Sequence, residues 1–451
     1  MNLSGNYQGV EVLRQSFKIL IMSIKKIKIS NFKSFKDVEV ELGNFNVFIG
    51  ANASGKTNFI QIFRFLRDLA IHGLENAISL QGGIDYLRNM NLKDKNEFSL
   101  EVVLDDEYLS LIIYALLNFP VKQKIEIEAK VYETTYKFGV EFIENGKNFE
   151  MTENKVIQKF YVFKSKSKEK IDEGEIIFSI DGARIKIEDI KLQSLPVQEE
   201  FLKIGESLDV LLKFFKPFEF FVSESDNSFR VLVSPNPDNF FKNILICDFD
   251  PKLSKKAIPI SGKLELEEDG SNLAIVIKNI ISNKDNRKRL SKLVKYVLPY
   301  VEDFDIGKLD EKSIILKLKE KYNKSMDLPS SFISEGTINI IGLIVALFFD
   351  KRNIVIIEEP ERNIHPHLIS KIVDIMKDVA TNPTEKKQII ITTHNPEIVK
   401  HAGLENLFLV SRDKEGFSVV SKPKDKLSVK IFLEKFGIDE LYIDNLLEAP
   451  I

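Results

Sequence analysis

Lys56 and Thr57 close the stretch Gly50-Ala51-Asn52-Ala53-Ser54-Gly55-Lys56-Thr57, which follows the apolar run Phe45-Asn46-Val47-Phe48-Ile49. A buried strand, a small-residue loop punctuated by glycine and a helix opening at Lys56 make a phosphate cradle. The free N–H groups of the loop and first helical turn converge on one point, where the helix dipole also favours negative charge. Gly50, Asn52, Ala53, Ser54 and Gly55 would wrap a β-phosphate, with Asn58 just behind them. Lys56 would reach the β- and γ-phosphate oxygens, and the Thr57 hydroxyl would ligate a bridging Mg²⁺. The pattern predicts a nucleotide site for ATP.

Three further groups could complete it. Ile354-Val355-Ile356-Ile357 ends in Glu358 and Glu359, and the C-terminal end of such a buried parallel strand is where ligands bind. Successive side chains point to opposite sides, so Glu358 is assigned the Mg²⁺ shell and Glu359 the attacking water. Gln388-Ile389-Ile390-Ile391 leads into Thr392-Thr393-His394-Asn395-Pro396, placing His394 to bond a γ-phosphate or the water. His365, in Asn363-Ile364-His365-Pro366, has the lesser role of fixing a turn. Ser334-Glu335-Gly336-Thr337 precedes the apolar helix expected over Ile338 to Phe349 and forms a second anion-binding helix start. One ATP does not need two such ends in a single copy of the chain, whereas two copies facing head to tail do.

The elements that must position these groups are legible from periodicity. Short alternating strands at Ile24 to Ser30 and Val38 to Leu42 lead to the loop strand, and Phe59, Ile60, Ile62, Phe63, Phe65, Leu66 and Leu69 give the next helix a broad apolar face. Residues 97 to 105, 123 to 145 and 155 to 190 read as strands, with a hairpin turn at Glu144-Asn145-Gly146-Lys147. The Lys/Glu-rich Lys164 to Glu175 reads as a solvated loop. A helix is expected at about 197 to 214, and two more from Asp269-Gly270-Ser271-Asn272 to Ile281 and from Asn286 to Val297. Arg287, Lys288, Arg289, Lys292 and Lys295 make the last of these the densest basic run, read as a solvated face or as a nucleic-acid or partner contact. Strands at 303 to 307 and 312 to 320 follow.

The 451 residues are 44% hydrophobic and 29% charged with a net charge of −3, so any nucleic-acid contact must be local. The single Cys247 excludes an intrachain disulfide framework and fits a reducing cytoplasm. No run reaches the roughly 20 apolar residues of a spanning helix, so no membrane partner is expected. Residues 1 to 21 lack a signal-peptide pattern and are expected to be a disordered extension, with Met22 as an alternative start. Asp248-Phe249-Asp250-Pro251, after the strand Ile244 to Cys247, could share a cation as in a Toprim-type nuclease. The glutamate partner on an earlier strand is missing, and a turn is the preferred reading.

Together these residues resemble the ABC-type ATPases of the SMC, RecF and OLD group, most closely the compact OLD-like ATPases of the AAA family. The resemblance runs over about 23 to 411. It is carried by Asn31-Phe32-Lys33-Ser34-Phe35, the P-loop with Asn58-Phe59, Asp269-Gly270-Ser271-Asn272-Leu273-Ala274, Ser334 to Thr337, Ile357-Glu358-Glu359-Pro360-Glu361 with Ile364-His365-Pro366, and Thr393 to Pro396. It implies an α/β P-loop NTPase fold of ABC ATPase type: a mixed sheet core with a β-rich N-terminal lobe at 22–119, an inserted β-rich α/β segment at 120–215 and a C-terminal lobe at 216–451. It further implies a homodimer that sandwiches ATP, with Ser334 and Gly336 of one copy on the γ-phosphate held by Lys56 of the other. Lys33 would lie near the nucleotide, Pro360 to Pro366 would form the D-loop at the junction of the two copies, and Gln81 is the candidate Mg²⁺-sensing glutamine. Coiled coils of SMC length are absent, and the stretch beyond Val410 is too short for a Toprim domain. Transporter ATPases carry a longer Gly- and Gln-rich signature. DNA and a separate effector protein, a nuclease or toxin, are the partner classes implied. Phage defence or DNA maintenance is the expected setting. An ATP-gated clamp with little turnover and, behind it, a metal-dependent nuclease are the alternatives.

Overall fold

The computed structural model describes residues 23–92, 96–109, 127–143, 148–164, 167–181, 184–193, 237–323, 325–382 and 387–423. The extension expected at 1–21, the turn at 144–147 and the helix at 197–214 lie outside them. Contacts divide the chain into two compact units, one of Met1–Ile27 with Glu97–Phe240 and one of Lys28–Asn96 with Phe241–Ile451.

The described residues begin with β1 (Ser23–Phe32) and β2 (Phe35–Glu41). The first unit contains an antiparallel meander of β4 (Glu97–Leu109), β5 (Ile127–Ile143), β6 (Asn148–Lys164), β7 (Lys170–Asp181) and β8 (Arg184–Leu192), each paired with the next. Alternation decides which side chains are inside. Val156, Phe160 and Val162 of β6 are buried and their neighbours face outward. Outward lysines meet carboxylates across the strands, as in Lys155–Glu188 at 2.9 Å and Lys159–Glu133 at 2.8 Å. Of the charged segment Lys164 to Glu175, expected as a solvated loop, residues 167–169 are turn and irregular chain, whereas 170–175 belong to β7. Lys170 pairs with Glu173 at 2.7 Å and Lys168 with Glu128 at 2.6 Å, while Asp172 is buried.

The second unit is built on a six-stranded sheet. Its strands are β3 (Phe45–Ile49), β9 (Ile244–Cys247), β14 (Ile354–Glu358), β15 (Gln388–Thr392), β16 (Leu407–Arg412) and β17 (Ser418–Ser421), ordered β17-β16-β3-β15-β14-β9. All neighbours run parallel except the β16–β17 hairpin. Strand β15 lies between β3 and β14, so the P-loop, the two glutamates and His394 all leave the same edge of one sheet. Every residue of β3 and β15 is buried, which accounts for their unbroken apolar runs. Asn46, Gln388 and Thr392 are the polar residues among them, and the Asn46 amide is satisfied by the Ile389 carbonyl at 3.2 Å and by Gly43.

Helix α1 (Lys56–His72) follows the P-loop, with α2 (Leu74–Leu80) and α3 (Ile84–Leu87) after it. Phe59 of α1 stacks on Phe48 of β3 at 4.2 Å between ring centres, and Phe48 stacks on Phe408 of β16 at 4.7 Å. These rings seat the P-loop helix on the sheet. Further on, α4 (Pro251–Ser254), α5 (Leu273–Ser282) and α6 (Lys284–Val297) precede a small antiparallel sheet of β10 (Ile258–Pro259), β11 (Val301–Lys308), β12 (Ser313–Glu320) and β13 (Leu328–Pro329). The apolar helix α7 (Glu335–Phe348) starts at Glu335 rather than at the expected Ile338, because Ser334 caps it. Helices α8 (Pro366–Thr381) and α9 (Pro396–Ala402) complete the unit, both opened by proline at the first turn. Behind α7, the buried Lys387 ammonium bonds the Ala346 and Asp350 carbonyls at 3.0 and 2.6 Å, closing the C-terminal end of that helix.

Phe59→Ala should therefore lower the urea midpoint by the equivalent of about 3 to 5 kcal/mol. A loss below about 1 kcal/mol would mean that the stacked rings do not anchor α1.

Candidate functional site

The P-loop is shaped by close packing against the β16–β17 hairpin. A Cβ on Gly50 would collide with the Val410 carbonyl, and one on Gly55 with the Ser418 hydroxyl. Gly55 has φ 119°, so glycine is required there on backbone grounds as well. Ser418 ties three segments together, with its hydroxyl 2.8 Å from Ser34 Oγ and 2.5 Å from the Ser54 carbonyl, which accepts from it. Asn58 donates to Ser34 Oγ at 2.8 Å, and Arg412 donates to the Ala53 carbonyl at 2.9 and 3.1 Å. The Lys56 ammonium lies on the carbonyls of Gly50 and Ala51 at 2.7 and 3.0 Å. Asn52, Ala53 and Thr57 are exposed, whereas Ser54 is buried with its hydroxyl lacking a hydrogen-bond partner. That orphaned hydroxyl inside a ring of small residues fits a phosphate cradle.

The two glutamates part company at the end of β14. Glu358 is the last strand residue, while Glu359 takes φ 46°, a left-handed conformation uncommon for a long acidic side chain. Glu358 turns towards α1, where Arg64 lies at 3.3 Å and also pairs with Glu268. Burial pushes the Glu358 carboxyl up to about 6, Arg64 pulls it down, and Asp248 and Glu268 push it up. Glu359 instead meets His394, with Oε1 and Nδ1 at 3.0 Å, and Arg362, at 3.3 Å. Because a carboxylate only accepts, Nδ1 of His394 carries the proton in this pair and Nε2 is left to face outward. Glu361 is buried, accepts from the Thr393 hydroxyl at 2.6 Å, and its carboxyl is raised by that burial.

The Ser334 hydroxyl accepts from the Thr337 N–H at 3.2 Å and lies 2.7 Å from Thr337 Oγ1. Gly336 packs so closely on the Asn363 carbonyl that a Cβ would collide, and the Asn363 amide donates to Glu335 at 2.9 Å. Asn339 donates to the Arg362 carbonyl at 2.6 Å. The segment after Glu359 is thus fastened to the start of α7 within one chain.

Of the residues singled out in sequence, Glu359 and His394 are in direct contact, and Ser334 and Gly336 share one helix start. Lys33, at φ 47°, donates from its backbone to the Leu87 carbonyl and from its ammonium to the Tyr86 carbonyl at 3.3 Å, and burial lowers its pKa. It adjoins Ser34 of the P-loop network rather than touching the loop itself. Gln81 is buried behind α2 with Oε1 lacking a hydrogen-bond partner. His365 caps α8, with Nδ1 2.7 Å from that of His367. Asp250 caps α4 through the Lys252 N–H at 2.9 Å, and Asp248 pairs with Arg362 at 3.0 Å. The Asp-x-Asp carboxylates are therefore engaged in a turn and an ion pair. Among the described residues no group of three or more His, Cys, Asp or Glu is arranged to hold a metal. Cys247 is fully buried and its thiol is pushed up by burial. Sequence reading missed Arg64, Glu268, Arg362, Ser418 and the Glu361–Thr393 pair.

A P-loop, a strand-end glutamate pair and a histidine on the intervening strand define a P-loop ATPase site in an α/β fold of ABC type. A family model described as "AAA domain, putative AbiEii toxin, Type IV TA system" matches residues 45–400, and the chain belongs to that family. An ATP/GTP phosphatase of Helicobacter pylori (strain ATCC 700392 / 26695) is 20% identical over 387 residues, 84% of this chain and 86% of that protein. Endonuclease GajA of Bacillus cereus (strain VD045) is 46% identical over 50 residues, 11% of this chain and 9% of its own length. The DNA replication and repair protein RecF of Lactococcus lactis subsp. cremoris (strain MG1363) is 39% identical over 46 residues, 10% of this chain and 13% of its own. This chain thus spans only about a tenth of each of the last two. Among solved structures, an Smc head bound to the C-winged helix domain of ScpA has TM-score 0.47 at 14% identity, covering 88% of this chain and 96% of that one. The chain is an ATPase of the OLD-like and RecF-like ABC type. Among the described residues no helix is long and apolar enough to cross a membrane.

Glu358 carries a pH dependence. Its folded pKa of about 6 lies above the ordinary 4.5, so its favourable contribution is complete below the ordinary value and is lost as pH rises through 6. Relative to wild type, Glu358→Gln should gain roughly 2 kcal/mol of stability between about pH 4 and pH 7.5, read from urea denaturation at both. Parallel stability curves for the two proteins would contradict the buried carboxylate.

Proposed function

We propose that this ATPase closes head to tail around ATP as a homodimer, and that closure reports the presence of nucleic acid or a partner protein in phage defence or genome maintenance. The observation carrying this reading is that one unit presents a P-loop, the Glu359–His394 pair and, fastened to the loop between them, an exposed helix start at Ser334. Phe332, two residues before Ser334, is 75% exposed, as suits a surface that is covered on association. The names of Endonuclease GajA and of the DNA replication and repair protein RecF support a setting involving DNA.

In this reading the P-loop N–H groups and Lys56 hold the phosphates, the Lys56 ammonium leaving the Gly50 and Ala51 carbonyls to do so. Thr57 and Glu358 would hold Mg²⁺, with Gln81 a further candidate, while Lys33 would act at the margin of the nucleotide. Bound Mg²⁺ supplies charge neutralisation at the phosphate oxygens. One carboxylate suffices, because Mg²⁺ keeps waters and takes substrate oxygens as its other ligands. Glu359 orients the attacking water and takes its proton. His394, held through Nδ1 by Glu359, presents Nε2 to the γ-phosphate or water. Ser334 and Gly336 of the second copy complete the cradle.

The decisive measurement is the solution mass of Glu359→Gln with and without ATP and Mg²⁺. Removing the base should slow hydrolysis by about 10² to 10⁴ and leave a trapped species of doubled mass. Adding Ser334→Arg should abolish the doubling while the monomer stays folded. Binding of ATP with no change in mass would overturn the sandwich.

A second reading, an ATP-gated clamp with little turnover, is favoured by Arg362, which holds Glu359 in an ion pair at 3.3 Å and so competes with a water for its carboxylate. Under it, wild-type protein should consume ATP near stoichiometrically. Sustained multiple turnover would dismiss the clamp.

A further inference from the structure

Helix α6 reads Lys284-Asp285-Asn286-Arg287-Lys288-Arg289-Leu290-Ser291-Lys292-Leu293-Val294-Lys295-Tyr296-Val297. At 3.6 residues per turn, Lys284, Lys288, Lys292 and Lys295 fall within a sector of about 80°, opposite the buried Leu290, Val294 and Val297. All four lysines are exposed. Among the described residues none of them is in an ion pair, and Asp285 is the helix's one carboxylate.

The arginines of the same helix are used internally. Arg287 pairs with Asp303 at 2.8 Å, and the Arg289 guanidinium lies over Phe348 and Phe349 at 5.7 and 5.4 Å. In the β-rich unit surface lysines are neutralised. Lys155, Lys159, Lys164, Lys168, Lys170 and Lys191 each meet a carboxylate within 3.0 Å.

We propose that the lysine row of α6 docks the phosphate backbone of duplex DNA. The row extends for roughly 16 Å at about 1.5 Å per residue, a length over which a duplex presents several phosphates. Ammonium groups are mobile point charges without the forked geometry that reads bases, so contact is independent of sequence. The helix offers a convex ridge, whereas single strands are held in enclosing grooves with aromatic platforms. An anionic membrane would need a flanking apolar face to insert, and among the described residues of α6 only Tyr296 is both a large hydrophobic and exposed. Lys371 of α8 lies 5.8 Å from the Tyr296 ring and lengthens the row. With a net charge of −3, the protein must bind through such a local patch.

Both ends of the Ser334 helix touch α6 or the residues just after it. Tyr300, just beyond α6, has its hydroxyl 2.7 Å from Thr337 Oγ1, which is 2.7 Å from Ser334 Oγ. At the far end, Arg289 packs on Phe348 and Phe349. The inference deepens the proposed nucleic-acid sensing and rests on that reading for its link to ATP, though not for binding itself.

The test compares wild type with the combined Lys284→Ala, Lys288→Ala, Lys292→Ala and Lys295→Ala variant, by fluorescence anisotropy of a short labelled duplex over about 50 to 200 mM salt. The variant should bind at least about 10²-fold more weakly, and its plot of log affinity against log salt should be shallower by about 3 to 4. Circular dichroism and ATP hydrolysis without DNA should match wild type. Equal affinity and equal slope for the two proteins would overturn the proposal. So would a wild type that ignores duplex at low salt, or one that binds anionic vesicles through these lysines but not DNA. A wild type that hydrolyses ATP and doubles in mass yet ignores duplex sinks this inference alone. One that binds duplex through the lysines without an ATP-driven change in mass sinks the sandwich alone.

Discussion

Occupied space is the constraint on which the nucleotide site depends. The Val410 carbonyl and the Ser418 hydroxyl fill the positions that side chains at Gly50 and Gly55 would take, so the P-loop is cast against the β16–β17 hairpin. The same device recurs at the second helix start, where the Asn363 carbonyl fills the place of a Gly336 side chain. In both cases a glycine lets one backbone lie directly on another segment. The N-terminal ends of α1 and α7 are thereby fixed by contacts with other segments, and preorganised N–H groups need no rearrangement to meet charge.

Three neighbouring glutamates show how burial divides chemical work. Glu358 sits largely buried beside Arg64, Glu359 is open to His394 and Arg362, and Glu361 is sealed against Thr393. Desolvation raises the first and third, and the second is the most exposed of the three. The Glu361–Thr393 bond fastens the loop after β14 to the loop after β15, so Glu359 and His394 are held at one distance by a contact behind them.

Much of this is legible in the residues. The P-loop, the strand carrying Glu358 and Glu359, and the strand before His394 announce themselves because parallel strands buried on both faces must be continuously apolar, and each ends in polar chemistry. What escapes is tertiary pairing. Nothing local in Arg64 indicates Glu268, about two hundred positions away, and Ser418 looks like any strand serine until Ser34 and Ser54 are brought to it. The charged stretch at Lys170 to Glu175 misleads because a strand with ion-paired side chains and a solvated loop share a composition. The turn into Glu359 is hidden too, since a left-handed glutamate leaves no mark on the pattern of its neighbours.

That left-handed glutamate carries an evolutionary consequence. A non-glycine residue at φ 46° costs about 1 to 2 kcal/mol, whereas glycine would rest there without strain, and the exposed ion pairs of Glu359 return little of the difference. Selection for heat resistance alone, blind to turnover, would therefore tend to erode the chain at the one side chain assigned to water. Lineages or screens that keep Glu359 record a continuing demand for chemistry at that position, and a thermostabilised library is best sorted by ATP consumption before it is sorted by melting temperature.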